Sequence, residues 1–517
     1  MRVLKKLIAV ILSALVMVSA FSVNAFAQEY IVECSYNSIT GQEIKTLVPK
    51  IVENGEVTLT ATDMQSSEVD DILYSKCCSD YGYKDLALRE NGEAKQKAYE
   101  LILKSAKAFF EGDKTLSNKV STGQFLIEKI PFDDNNDFQY YLTNQQLYEA
   151  YFTFRKDNPL FYFSSTTVIV NGYYADKDGD GFNDKYENGE LILYVTTISY
   201  LTEEDYRLEQ SRAECKTKII SHLFEYSQYL DSYLSPYSKI EALNKKLCDE
   251  ITYAREDSGA ASSAAWAHNI MGVFDDEINS AVCEGYTYAF DIIMSYIGLD
   301  SIIINGLANG EAHAWNLVSL DDEYFYVDST WNDTTDNSYF LKGTDSFYLD
   351  HSIETPNGVG VDFLYQLPQV SADDYNPIDL ESSELNFKQN EQGKLSFTIL
   401  SSYPSANVKI TSDNPEIIEI NQNGEFIALS KGETSITIKT ADNKFSKTIA
   451  VCVKSDNGDI NSDNEINIRD VVMLFQSVSK WDVTIDETGS DVNGDDTVNI
   501  RDVVLLYQYV SGWNVEI

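Results

Sequence analysis

Histidine is scarce in this sequence, with four in 517 residues, so any imidazole chemistry rests on His222, His268, His313 or His351. Basic residues are few as well. Lys plus Arg total 39 against 82 Asp plus Glu, for a formal net charge of -43. A chain this acidic is repelled by phosphate backbones and anionic headgroups, which argues against nucleic acid and membrane surfaces as partners. Beyond the first residues no run is apolar enough to span a bilayer, so no membrane insertion is expected. The seven cysteines are odd in number, which leaves one thiol unpaired in a secreted protein, and their spacing spells neither a disulfide framework nor a zinc site. Aromatics are plentiful instead. With 34 Tyr and 24 Phe the chain reads as packed, partly β domains rather than a disordered acidic tail.

The opening residues read as a targeting segment. Arg2, Lys5 and Lys6 precede an apolar run from Leu7 to Phe21, and Ala25-Phe26-Ala27 supplies a small-x-small cleavage pattern. The run falls short of the ~20 residues that a membrane span needs, so residues 1–27 are expected to be a signal peptide and the protein to be secreted and extracellular. At ~100–200 residues per domain, several domains follow.

Residues 28–86 carry short β-like runs, Tyr30–Tyr36 and Glu56–Ala61, without further signal. Residues 87–238 are expected to hold a helix over Glu93–Phe110, with Asn91 as N-cap, and a long hairpin from Leu160–Tyr174 to Leu191–Tyr200. Helical periodicity returns over Ser211–Ala254 and breaks near Ser235-Pro236. Cys283–Ile297 reads as a helix ended by Gly298, followed by strands at Ser301–Gly306, Ala312–Ser319 and Tyr324–Asp328. Residues 376–454 change to short alternating runs with Asn, Asp and Gly turns, which predicts a small β-sandwich. Within them Thr411-Ser412-Asp413-Asn414-Pro415-Glu416-Ile417-Ile418, followed by Gly424-Glu425-Phe426-Ile427-Ala428, resembles bacterial immunoglobulin-like domains of group 2.

Residues 455–517 contain a duplication. Asp459, Asn461, Asp463, Asn467 and Asp470 recur as Asp491, Asn493, Asp495, Asn499 and Asp502, each set followed by an apolar helical start. Loop positions 1, 3, 5, 9 and 12 supply side-chain oxygens to a hard cation, and position 7, here Glu465 or Thr497, supplies a backbone carbonyl. The duplication resembles a type I dockerin. That resemblance implies two Ca2+ ions and a cohesin domain of a cellulosomal scaffold protein as partner. The pairs Ile468-Arg469 and Ile500-Arg501 stand where the family reads its partner, and their identity implies two equivalent binding orientations. A third calcium loop is expected at Asp176, Asp178, Asp180, Phe182, Asp184 and Glu187, flanked by strands and structural rather than catalytic.

Cys283 opens an apolar helix, where the positive end of the helix favours thiolate. His313 sits in the next strand pair. For an even-length loop near Leu320–Glu323, Asp328 falls on the same strand face as His313, directly opposite or two positions away. Ala281-Val282-Cys283-Glu284-Gly285-Tyr286, Gly306, His313-Ala314-Trp315-Asn316 and Tyr326-Val327-Asp328-Ser329-Thr330-Trp331 resemble the transglutaminase-like superfamily of cysteine acyl-transferases and peptidases, most clearly from about Lys239 to Asp333 within an expected core of residues 239–375. The resemblance implies a papain-like mechanism on a protein or peptide amide. Cys283 would be the nucleophile, His313 the base and Asp328 its orienter, with Tyr253 or Trp266 as candidate oxyanion donors. The expected architecture is therefore multidomain: an α+β papain-like/transglutaminase-like domain, an all-β immunoglobulin-like sandwich and a small all-α calcium-binding dockerin. The rival expectations are a non-catalytic binding or structural module that keeps the fold, and a plant-wall-directed accessory component.

Overall fold

The computed structural model describes residues 66–111, 144–164, 209–335, 337–353, 367–454, 457–463, 465–485, 487–495 and 497–517. It also gives the backbone of strands Tyr30–Tyr36, Glu43–Pro49, Asn118–Ser121, Gln124–Pro131, Ile169–Asn171, Tyr174–Ala175, Asp184–Tyr186 and Glu190–Thr196. The expected signal peptide, the run at Glu56–Ala61 and the 176–187 loop, apart from its short strand, lie outside the described residues.

The first helices are α1 (Ser66–Cys77), α2 (Tyr81–Leu86), α3 (Gly92–Glu111) and α4 (Asn144–Asp157). Asn91 precedes α3 in the left-handed region, φ 54°, and its carbonyl accepts from the Lys95 N–H at 3.0 Å. The four helices meet over aromatic rings, with Phe161 stacked on Phe154 at 5.8 Å and edge-on to Phe110 at 5.8 Å. The expected hairpin exists as Ile169–Asn171 paired antiparallel with Glu190–Thr196. Its first strand does not begin at Leu160, however. The Asp157 carboxylate accepts from the Gly82 and Tyr83 N–H groups at 2.9 and 2.8 Å, which pins the end of α4 to the start of α2. The chain must therefore turn through Asn158–Ser164, and Phe161 and Phe163 are core residues in that turn.

Helices α5 (Glu209–Asp231) and α6 (Pro236–Glu250) are divided where Ser235 caps α6, its hydroxyl accepting from Ser238 N–H at 3.2 Å with proline in the first turn. Helix α7 (Cys283–Tyr296) is buried on almost every face, so it forms the centre of the unit rather than an amphipathic flank. Gly298, at φ 78°, closes it, and Leu299 N–H bonds back to the Met294 carbonyl at 2.9 Å.

Against α7 lies an antiparallel sheet of β1 (Ser301–Ala308), β2 (Glu311–Leu320), β3 (Glu323–Val327) and β4 (His351–Ser352), in the order β3-β2-β1-β4. The β2–β3 turn is Asp321-Asp322, both at positive φ, 53° and 65°, the conformation a two-residue hairpin requires. Gly306 is needed in β1 because a Cβ there would lie 2.2 Å from the Ser352 carbonyl oxygen and 2.5 Å from the Trp315 ring. Between β3 and β4 comes the short helix α8 (Ser329–Asn332). The whole is a mixed α+β unit.

Residues 378–454 form a four-stranded sheet ordered Glu384–Lys388, Ser446–Lys454, Gly432–Thr440, Val408–Ser412, together with a three-stranded sheet and a strand pair. Ile378, Ile410, Ile418, Ile436, Ile438, Ile449, Val451 and Val453 make one core between them. This unit packs directly on the α+β unit. Tyr237 of α6 packs on Tyr375, Tyr403 and Phe445 at 5.5, 5.0 and 5.8 Å, and Lys444 Nζ pairs with Glu241 Oε1 at 2.6 Å. The chain ends in α9 (Ile468–Val478) and α10 (Ile500–Val510), which share a small core of Val471, Leu474, Val503 and Leu506.

Inside α7, Asp291 is buried, with Oδ1 lacking a hydrogen-bond partner. Burial, only partly offset by the Ser301 hydroxyl, pushes its carboxyl up to about 8. A carboxyl raised in the fold keeps its proton there while the unfolded chain ionises from ~pH 4, so stability falls as pH rises between those values and levels off above about 8. Asp291→Asn should therefore raise the melting temperature at pH 9 and converge on wild type near pH 4. Thermal unfolding followed by circular dichroism across that range checks it, and a constant offset at all pH values would contradict it.

Candidate functional site

Two arrangements of polar side chains stand out. The first lies in the C-terminal duplication. Asp470 is fully buried, and its two oxygens accept from the Asn461 and Asn467 N–H groups at 3.0 and 2.9 Å. Asp502 repeats this with Asn493 and Asn499 at 3.1 and 2.8 Å. Asn467 and Asn499 cap α9 and α10 in reciprocal capping boxes. Asp459, Asp463 and Asp470 present oxygens within 4.8 Å of one another. The Asn461 side-chain oxygen is buried beside them without a hydrogen-bond partner. An all-oxygen donor set with an orphaned carbonyl fits Ca2+, which takes carboxylate and carbonyl oxygens alike. Asp491, Asn493 and Asp495 stand at the equivalent places of the second loop.

The two halves also match outward. Ile468 and Ile500 are 52% and 51% exposed, and Val472 pairs in the same way with Val504, and Phe475 with Tyr507. Between the helices runs a shallow groove of about 310 Å³ lined by Val471, Val472, Phe475, Val503, Val504 and Tyr507.

The second arrangement centres on Asp328. Leu320 pairs with Glu323 and Asn316 with Val327, so the register carries His313 to the level of Thr330, two positions from Asp328 on one face. His313 Nε2 lies 2.8 Å from Asp328 Oδ2. Asp328 Oδ1 accepts from the Trp331 N–H at 3.1 Å as the N-cap of α8. The same Oδ2 meets a second imidazole, His351 Nε2, at 3.2 Å. His351 arrives through β4, where it pairs with Ala308 of β1. Its other nitrogen, Nδ1, bonds to Asp350 Oδ1 at 2.6 Å.

Burial alone would push the His313 imidazole down, but the hydrogen bonds and charges of Asp328 and Cys283 outweigh it and raise it to about 10. Asp328 is held below the usual carboxylate range, since its partners outweigh its burial. Tyr253 lies near the Cys283 thiol, with its hydroxyl raised to about 12 by burial and that thiol. Trp266 sits half-buried in the turn Ala265–His268, where His268 Nδ1 pairs with Glu284 at 2.7 Å.

These facts correct the expected Cys-His-Asp enzyme. The groups that close around Asp328 within 4.8 Å are His313 and His351, and no cysteine belongs to the set. Among the described residues the cluster is a carboxylate shared by two imidazoles rather than one that orients a single base. The sequence reading missed His351. Nothing in Leu349-Asp350-His351 forms a motif, and the one available signal was that only four histidines exist.

Comparison with known proteins bears on the two arrangements unequally. Residues 457–511 match the family of the dockerin type I domain. The C-terminal module is a dockerin. No curated protein matches the chain. Among solved structures, that of a TGase is 16% identical, covers 32% of this chain and 52% of its own, and has a TM-score of 0.21. The periplasmic domain of TgpA from Pseudomonas aeruginosa is 15% identical over 30% of this chain and 60% of its own, TM-score 0.19. Domains 4 and 5 of the S-layer protein SbsC are 21% identical over 15% of this chain and 50% of their own, TM-score 0.13. The chain thus spans only about half the length of these first structures, and likenesses this slight carry no argument about activity. The dockerin assignment and the acidic cluster are consistent with an extracellular, scaffold-attached protein. Among the described residues no helix is long and apolar enough to cross a membrane.

If Asp328 organises the site, its loss should be felt by the fold and that of Cys283 should not. Asp328→Ala leaves two buried imidazoles without their carboxylate and should cost ~3–5 kcal/mol. Cys283→Ala, at a half-buried small side chain, should stay within ~1 kcal/mol of wild type. Urea unfolding of the two variants measures both, and equal effects would refute the assignment of the centre to Asp328.

Proposed function

We propose that this chain is an extracellular, scaffold-attached binding protein whose dockerin plugs into a cohesin domain of a cellulosomal scaffold. Its α+β unit, residues 239–375 with the lead-in at 87–238, serves as a non-catalytic binding or structural module that keeps a transglutaminase-like fold. Residues 376–454 are read as an immunoglobulin-like unit that holds the two together, and residues 28–86 belong to the presented part. The observation that carries the reading is the point-by-point match of the two dockerin halves, in buried aspartates, capping boxes and exposed Ile-Arg pairs. In the α+β unit, Cys283, His313 and Asp328 are read as part of a buried polar centre that holds the module together rather than as a catalytic triad. The Asp328 carboxylate divided between two imidazoles supports this.

In the dockerin, Asp459, Asn461, Asp463, Asn467 and Asp470, with the Glu465 carbonyl, would hold one Ca2+. Asp491, Asn493, Asp495, Asn499 and Asp502, with the Thr497 carbonyl, would hold the other. The ions would supply counter-charge to carboxylates that repel one another without them, so that binding and folding are one event. The chain's own residues then set the partner face, because the capping boxes fix the first turn of each helix and with it the Ile-Arg pairs.

The segment 455–517 should be largely unfolded in chelator and become helical on addition of calcium, by circular dichroism. Changing Ile468-Arg469 to alanines should leave cohesin binding nearly intact, and changing Ile500-Arg501 as well should weaken it about 100-fold or more, the size of a lost hot-spot cluster. A helical signal indifferent to chelator, or failure to bind any of a panel of cohesins, would overturn the attachment. A thiol-directed amide probe turned over at Cys283 would overturn the non-catalytic reading.

A further inference from the structure

His313 Nε2, His351 Nε2 and Asp328 Oδ2 converge on one point from three different elements, β2, β4 and the cap of α8. All three ligand atoms lie within 4.8 Å of one another, and the side chains are 8%, 0% and 0% exposed. In a tetrahedral site with metal–ligand bonds of about 2.0–2.2 Å, neighbouring ligand atoms stand roughly 3.3 Å apart. The two contacts to Asp328 Oδ2, at 2.8 and 3.2 Å, are close to such edges. From this geometry we propose that the cluster is a binding site for a zinc-type divalent cation, held by two imidazole nitrogens and one carboxylate oxygen.

The surroundings are those that a metal site needs beyond its ligands. A ligating histidine usually donates its far nitrogen to a carboxylate, which fixes the ring and strengthens the ligand. His351 does so toward Asp350 through Nδ1, and Asp350 is held in turn by the Tyr339 hydroxyl at 2.6 Å. Asp328 keeps Oδ1 engaged with the Trp331 N–H, which leaves Oδ2 as the oxygen facing the imidazoles. The His351 ring is clamped by Phe347, Trp331 and Trp315, with centroids at 4.0, 4.6 and 5.2 Å. Those rings lower the local dielectric and shut out competing water. Imidazole with carboxylate is the donor chemistry of zinc, whereas calcium and magnesium call for oxygen sets like those of the dockerin loops. On binding, each imidazole gives up its Nε2 proton to solvent and donates the freed lone pair, with no redox change. This inference does not depend on the proposed function and adds a metal to the α+β unit whatever that unit binds.

The test uses the full chain at pH 8 in excess calcium, which occupies the dockerin loops. The protein is equilibrated with micromolar zinc chloride, dialysed and counted by plasma mass spectrometry. One zinc per chain is expected, and wild-type protein retaining none would overturn the site whatever the variants do. His351→Gln and His313→Gln should each reduce retained zinc at least tenfold, while Cys283→Ser retains it. Zinc persisting in both histidine variants would mean that free thiols hold it, which also overturns the site. Cobalt(II) in place of zinc should give tetrahedral visible bands without thiolate charge transfer. A thiolate band lost in Cys283→Ser would transfer the site to the cysteine and refute the ligand set. Near-ultraviolet circular dichroism of each variant checks that a lost ion is not a lost fold.

Discussion

A carboxylate with no exposed surface stays ionised only if its neighbours replace the water it has lost. Asp328 is in that position, and much of the α+β unit is arranged to meet its demand. It takes one hydrogen bond from the backbone of α8, one imidazole from β2 and another from β4. Two of these partners, in α8 and β4, belong to segments that would otherwise be loosely tied. Helix α8 is a single turn, and β4 is two residues long. Their positions are fixed less by their own hydrogen-bond ladders than by the charge they surround.

The order of elements around this charge was largely legible in the sequence. Cys283–Ile297 announced a helix because its apolar residues recur at helical spacing and glycine follows, and any even-length loop near Leu320–Glu323 sufficed to put Asp328 on the His313 face of the hairpin. The dockerin was more legible still, since a ligand pattern that repeats at every position leaves little to choose. What escaped reading was set by contacts between distant segments. His351 joins the cluster through two backbone pairs with β1, and neither its neighbours nor its spacing advertise that. The turn after Asp157 replaced an expected strand because two amides of α2 claim the aspartate, a tertiary bond that overrides the β-branched and aromatic texture of the run. Buried acids such as Asp291 look like any other polar residue on a helix until the helix is found to have no outside.

The correction from a cysteine triad to a shared carboxylate has the same origin. Order along the chain placed Cys283, His313 and Asp328 in succession, and a pattern of three leaves no place for a fourth group. The fold supplied one. A second imidazole on the same oxygen changes what the carboxylate is for: it becomes the hub of a buried polar network, whose members constrain one another more than they await a substrate.

The strand Ser446–Lys454 has a mechanical meaning. It lies inside its sheet, parallel to Glu384–Lys388 on one side and antiparallel to Gly432–Thr440 on the other. Its N-terminal neighbour Phe445 is wedged between Tyr237 and Tyr375 of the α+β unit and Tyr403 of its own. Its C-terminal end leads toward the dockerin. A pull on the end of this strand would act along its axis. The hydrogen bonds on both flanks lie across that axis and are loaded in shear, so they resist together instead of being peeled one at a time.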